Sequence, residues 1–269
     1  MTQHSPFRIE KEGYITWLVF NRPEKRNAMN MEFFSGLTDH FRSFEDDPGV
    51  RVVVVRGEGK SFSAGLDLVE AATMFGSEPG ADTREMNRKA IGRAQESMNV
   101  IEKCRKPVIA AIHGHCVGAG VDLAAACDIR LASNDAVFAV RETKMALIAD
   151  LGTLQRLPYI IGHGWFRELA LTGRNFTANE ALQMGFITRL CQDKESLYGE
   201  ARKLAEEIAG CSPLAVQGTK EVLLYSRDNG VYPGLEYAAQ KNAAVLPCED
   251  VVEAIQAFMQ KRTPDFKGK

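Results

Sequence analysis

The 269-residue sequence has no CxxC pair among its six cysteines, no excess of either charge, and no apolar run approaching the length of a membrane span. Each lack excludes something. A bilayer crossing needs roughly 20 consecutive apolar residues, so no membrane helix is expected. Lys and Arg number 33 against 35 Asp and Glu, a net charge of -2, so no partnership with nucleic acid through bulk positive charge is expected. The cysteines at 104, 116, 127, 191, 211 and 248 read as free thiols in a reducing compartment, several of them inside apolar runs. His113 and His115 alternate, but no Cys or Asp shares their spacing, so no metal site is expected. The first residues, MTQHSPFRIEKEG, have no apolar signal region, and the last, DFKGK, are not a peroxisomal address. A cytoplasmic protein is the expectation from these. There is no internal repeat and no low-complexity segment.

What is present has a clear order. YITWLVF (14–20), RVVVVRG (51–57) and KPVIAAIHG (106–114) read as strands, with shorter candidates in DIRLAS (128–133) and AVFAV (136–140). The continuous valine run of 52–55 fits a strand covered on both faces. Asn30 can cap a helix in which Phe33, Leu37, Phe41 and Phe44 recur at helical spacing, and a second long helix spans about 84–103. The polar stretch GSEPGADT (76–83) reads as a loop. After about residue 160 strands largely give way to helices. Thr177 and Glu180 form a capping box, and four further helical segments follow to residue 262. Alternation first and helices last argue an α/β fold. The expected division is a core over 1–195 and a helical region over 196–269, whose apolar faces need a partner.

Three segments carry candidate chemistry. SFSAGLDL (61–68) puts small residues beside glycine, which lets a ligand approach the backbone, though it reads equally as a plain turn into a helix. IHGHCVGAGVDLAAACD (112–128) runs from a strand through a glycine-rich turn into an Ala-rich helix, whose first amide groups are unpaired and partly positive. Such a start can hold an oxyanion or phosphate. Its glycine order, G-x-x-x-G-x-G, departs from the dinucleotide-binding G-x-G-x-x-G. Asp122 lies in this small, apolar helix start, either as a catalytic group or as a favourable charge at the helix dipole. In AVRETKMALIADLGTLQRLP (139–158), Glu142 follows a strand and Asp150 precedes LGT, as a catalyst or as a helix cap. Three carboxylates thus flank glycine-rich turns, 20 and 8 residues apart.

SFSAGLDL, HGHCVGAGVDLAAACDIRLAS and FAVRETKMALIADLGTLQRLP together resemble the enoyl-CoA hydratase/isomerase (crotonase) superfamily, and within it the dienoyl-CoA isomerases. The resemblance extends from NRPEKRNAM to LLYSRD. It implies a crotonase-like spiral of ββα units, with a C-terminal helical region that makes trimers or hexamers. It implies an oxyanion hole from the backbone N–H groups of Leu66 and Ala119, the latter standing where relatives usually carry glycine. It places Lys25, Arg26, Ala28, Gly65, Asp67, Leu68, Val69 and Gly120 at the coenzyme A part of the substrate.

The implied chemistry is the conversion of a 3,5-dienoyl-CoA to its 2,4-isomer in fatty-acid β-oxidation. Asp150 would take the proton from C2, Glu142 would deliver one at C6, and Asp122 would help set their protonation. No metal or redox cofactor is expected, since coenzyme A is part of the substrate. Hydratases of the superfamily carry Glu at the positions of Asp122 and Glu142, and glycine at that of Asp150. Hydration of a 2-enoyl-CoA is therefore the first competitor, and a catalytically idle CoA-binding or RNA-associated homologue the second.

Overall fold

The computed structural model describes residues 5–75 and 80–269. Residues 76–79 of the expected polar loop lie outside the described residues, and the rest of that stretch opens a helix. Strands β1 (Phe7–Glu12), β2 (Ile15–Phe20), β3 (Val52–Gly57), β4 (Val108–Ile112), β6 (Ile129–Ser133) and β9 (Arg189–Cys191) form one sheet in the order β1-β2-β3-β4-β6-β9. Only β1 and β2 are antiparallel. A second sheet joins β5 (His115–Val117), β7 (Val137–Ala139) and β8 (Phe176–Thr177). Each of β4 and β6 is thus followed at once by a strand of the smaller sheet and then by helical chain. This is the repeated ββα path of a crotonase-like spiral in an α/β fold.

The valine run explains how the large sheet is covered. Side chains alternate across a strand. Val53 and Val55 therefore enter one core with α1 (Met31–Asp46), α3 (Ala81–Lys103) and α4 (Ala119–Ala126). Val52 and Val54 enter another, which is covered by Leu197, Ala201, Ala205 and Ala209 of α7 (Lys194–Ala209). A division at residue 195 would cut α7, which belongs to the sheet's outer layer. The helices that stand apart are α8 (Pro213–Asn229), α9 (Val231–Val245) and α10 (Glu249–Gln260).

Local signals act as their chemistry dictates. The Asn30 side chain accepts a hydrogen bond from the Phe33 N–H at 3.0 Å, and the phenylalanine stripe of α1 is buried. The Thr177–Glu180 capping box starts α6 (Ala178–Gln183). All six cysteines are free, and burial pushes the thiols of Cys104 and Cys127 up to about 12.

One buried cation fastens α8 to the core. Lys220 donates to Asp128 Oδ2 at 2.6 Å and to the Lys106 carbonyl at 3.2 Å, and it is only 6% exposed. Asp128 itself keeps some solvent contact, so the pair is worth less than a fully buried one. Lys220→Met is expected to lower unfolding free energy by about 2 kcal/mol, because it strips a buried carbonyl and a carboxylate of their donor. Urea unfolding measures this, and an unchanged midpoint contradicts it.

Candidate active site

Two glycine-dependent turns build the site. After β3 the chain passes Ser63, whose backbone bridges Cys116 of β5, and reaches Gly65. Gly65 has φ +87°, and a Cβ there would lie 2.6 Å from the Val117 carbonyl oxygen. Only glycine permits this approach. The same absent Cβ would be 3.4 Å from the Ala119 nitrogen, so the two turns touch at this point.

The touching turns leave two amide groups free. Leu66 forms a parallel bridge with Met29, using the Gly65 carbonyl and the Asp67 N–H. In an extended segment the intervening N–H points the other way. Ala119 is the first residue of α4, so its N–H has no intrahelical acceptor. Among the described residues neither the Leu66 nor the Ala119 N–H donates to a backbone carbonyl. Both residues line one cavity of about 300 Å³. Ala119 carries its Cβ without backbone strain, because the left-handed angle falls on Gly118, at φ +54°.

All three expected carboxylates line that cavity. Asp122, on α4, is 1% exposed. Its Oδ1 accepts the Thr153 N–H at 2.6 Å, at the start of α5 (Thr153–Thr172). Asp122 therefore caps α5 across space, and Asp150 does not, since Gly152 holds the cap position without a side-chain bond. Burial, reinforced by Glu142 and Asp150, pushes the Asp122 carboxyl up to about 7. Glu142 opens a 3-10 turn after β7, and its Oε2 is buried without a hydrogen-bond partner. Burial raises its pKa, and the nearby Asp150 raises it further. A Cβ at Gly118 would sit 3.4 Å from Glu142 Oε1, so the glycine leaves this carboxylate open to the cavity. Asp150 keeps solvent contact, and partial burial raises its pKa too.

The other expected residues divide. Gly65 and Leu68 line the cavity, whereas Lys25, Arg26, Ala28, Asp67, Val69 and Gly120 do not. Asp67 is buried and bridges Arg22 at 3.0 Å and Lys25 at 3.1 Å, which ties the chain after β2 to the turn after β3. Gly120 faces the protein rather than the cavity, since a Cβ there would meet the Ser63 carbonyl at 3.2 Å. Val69 is 79% exposed. Sequence reasoning missed the apolar wall: Met31 and Phe34 of α1, Ala90, Ile91 and Ala94 of α3, and Ile148. The Ala90–Ala94 spacing was the available signal, an i, i+4 pair of small residues on an otherwise polar helix.

Comparison with known proteins shows the family. The enoyl-CoA hydratase/isomerase family model matches residues 10–269. A peroxisomal Δ3,5-Δ2,4-dienoyl-CoA isomerase of Arabidopsis thaliana is 44% identical, over 96% of this chain and 95% of its own length. A mitochondrial one of Mus musculus is 45% identical, over 93% of this chain and 78% of its own. The crystal structure of an enoyl-CoA hydratase from Bacillus anthracis superposes with a TM-score of 0.92 at 32% identity, covering 98% of this chain and 100% of that one. The relatives also correct the cytoplasmic expectation, since those named by compartment are peroxisomal or mitochondrial. Addresses are read by receptors and are independent of the packed core, so composition was no guide to compartment.

The raised Asp122 pKa has a stability consequence. Its folded value lies above its unfolded one, so the native state binds more protons and stability falls as pH rises through about 4 to 7. Asp122→Asn keeps an oxygen for the Thr153 N–H and removes the charge. Its melting temperature should exceed the parent's at about pH 8, with the gap closing towards about pH 4. Thermal melts at both pH values test this, and a pH-independent gap contradicts it.

Proposed function

Because the chain belongs to the enoyl-CoA hydratase/isomerase family, we propose that it isomerises a 3,5-dienoyl-CoA to the 2,4-dienoyl-CoA in fatty-acid β-oxidation. The observation that carries this reading is the convergence of two free N–H groups and the carboxylates of Glu142 and Asp150 on one apolar cavity.

The steps follow from elementary chemistry. The thioester carbonyl oxygen accepts from the Leu66 and Ala119 N–H groups. Asp150 removes a proton from C2, and its electron pair moves into the carbonyl, giving a conjugated enolate. Preorganised donors at such an oxygen contribute about 10²–10³ in rate each. The enolate extends to C6, where Glu142 delivers a proton. The double bonds then lie at C2 and C4, Asp150 holds a proton and Glu142 has lost one. Solvent contact at Asp150 suits the ionised base. Glu142, largely buried, with one oxygen that has no partner and beside a charged Asp150, suits the acid that starts protonated. Asp122 belongs to the same coupled set and biases where the protons sit.

Coenzyme A itself would lie beyond the cavity, along Lys25, Arg26, Ala28 and the 65–69 segment. Exposed apolar side chains on α8 to α10, including Leu223, Tyr232, Ile255, Phe258 and Met259, support assembly through the C-terminal helices as a trimer or a pair of trimers. Hydration of a 2-enoyl-CoA is the weaker reading. It needs room for water where this chain carries the Asp150 carboxylate.

The test is turnover of a 3,5-dienoyl-CoA beside a 2-enoyl-CoA, by parent and Asp150→Asn proteins. Conjugation of the 2,4-product is followed by ultraviolet absorbance. The parent should favour the dienoyl substrate, and Asp150→Asn should lose at least ~10²-fold in kcat while remaining folded. Comparable turnover of the 2-enoyl-CoA, or full activity of Asp150→Asn, overturns the reading.

A further inference from the structure

Arg156 is oddly placed for a surface-style arginine. It lies in the first turn of α5, where a cation opposes the helix dipole, and it is only 8% exposed. Its guanidinium fills the space above Gly152, where a Cβ would come within 1.8 Å of Nη1. The same Nη1 donates to the Leu151 carbonyl at 3.3 Å. From the other side, α3 holds it: Nη2 donates to Asn99 Oδ1 at 2.8 Å and to Glu102 Oε2 at 3.2 Å. Arg227 of α8 pairs with Glu102 in turn at 2.5 Å. Burial pushes the Glu102 carboxyl up, but Arg227 and Arg156 outweigh that and hold it below its ordinary range.

The turn that Arg156 grips is the one that joins two carboxylates of the site. Asp150 rides at its start, with its carbonyl tied to Gln95 Nε2 of α3 at 2.7 Å. Thr153, at its end, gives its N–H to Asp122. Four consecutive residues, 150–153, are therefore fixed by Gln95, by Arg156 twice over, and by Asp122.

We infer that Arg156 is a positioning residue, which clamps the 150–153 turn to α3 and so sets where Asp150 stands relative to Asp122 and the substrate. It acts through the backbone, since it does not itself line the cavity. Gln95 is the second tether of the same turn. The clamp also links the site to α8, through Arg227 and Glu102, so docking of the C-terminal helices bears on the geometry of the base. Reacting groups misplaced by about 1 Å lose about 10²-fold in rate, so a loosened turn should cost turnover and not binding.

This inference rests on the proposed isomerisation, so one of its readouts needs no substrate. The parent, Arg156→Lys and Gln95→Ala proteins are compared by thermal melting, by hydrogen exchange at the Thr153 amide, and by kcat and KM on a 3,5-dienoyl-CoA. Lysine keeps the charge but loses the planar fork. Arg156→Lys should still melt cooperatively. Its Thr153 amide should exchange at least ~10-fold faster, and kcat should fall at least ~10-fold with KM changed by less than ~2-fold. Gln95→Ala should move both readouts the same way by a smaller factor. Because Gln95 is exposed, it carries the test if Arg156→Lys fails to fold. Unchanged exchange and kcat in a folded variant overturn the inference, as does a parallel loss of KM and kcat. A parent inactive on the dienoyl substrate overturns the isomerase reading alone, and Thr153 exchange still decides the clamp.

Discussion

The site depends on one close approach, that of Gly65 against the Val117 carbonyl. No side chain fits between these segments, since even a Cβ would be 2.6 Å from the oxygen. The contact fixes the end of the turn after β3 against the start of α4. Each of those places has one N–H left over, for a different reason. At Leu66 the alternation of an extended chain turns the group away from its partner segment, and at Ala119 the helix start leaves it without an acceptor. The contact makes a pair of these two remainders, and the proposed thioester chemistry rests on the pair.

The carboxylates are placed around that pair by burial that is costly in free energy. Asp122 is almost wholly buried, and Glu142 has a buried oxygen with no partner. Charges so placed are expensive unless paired or neutralised, and no cation is bonded to either among the described residues. The outcome is a raised pKa at each of the three acids, which favours their protonated forms relative to free carboxylates. The same turn that offers the Thr153 N–H to Asp122 carries Asp150. Helix α5, Asp122 and Asp150 are therefore one mechanical unit, backed by the Arg156–Glu102–Arg227 chain.

Much of this was legible in the chain. The valine run of β3, the phenylalanine stripe of α1 and both expected caps depend on nearest neighbours, and they formed as expected. The three carboxylates were found by their place beside glycine-rich turns and by resemblance, and all three line the cavity. What stayed hidden depends on partners distant in sequence. Strands β1, β5, β8 and β9 are short or half-exposed, and pairing alone defines them. Asp122 caps a helix 31 residues ahead, which no local pattern announces. Asp67 also forms a buried bridge to Arg22 and Lys25, partners 45 and 42 residues away. Compartment was read from the termini and was wrong, because packing physics does not encode it.

The central claim is that the Leu66 and Ala119 N–H groups polarise a thioester carbonyl and that the Gly65 contact holds them together. The most direct measurement is the infrared carbonyl stretch of a bound, unreactive acyl-CoA thioester, in the parent and in Gly65→Ala. Two donors at the oxygen weaken the C=O bond, so the parent should shift the band to lower frequency than in water. Gly65→Ala should lose most of that shift while still binding the ligand. An equal shift in both proteins, or none in the parent, would contradict the account.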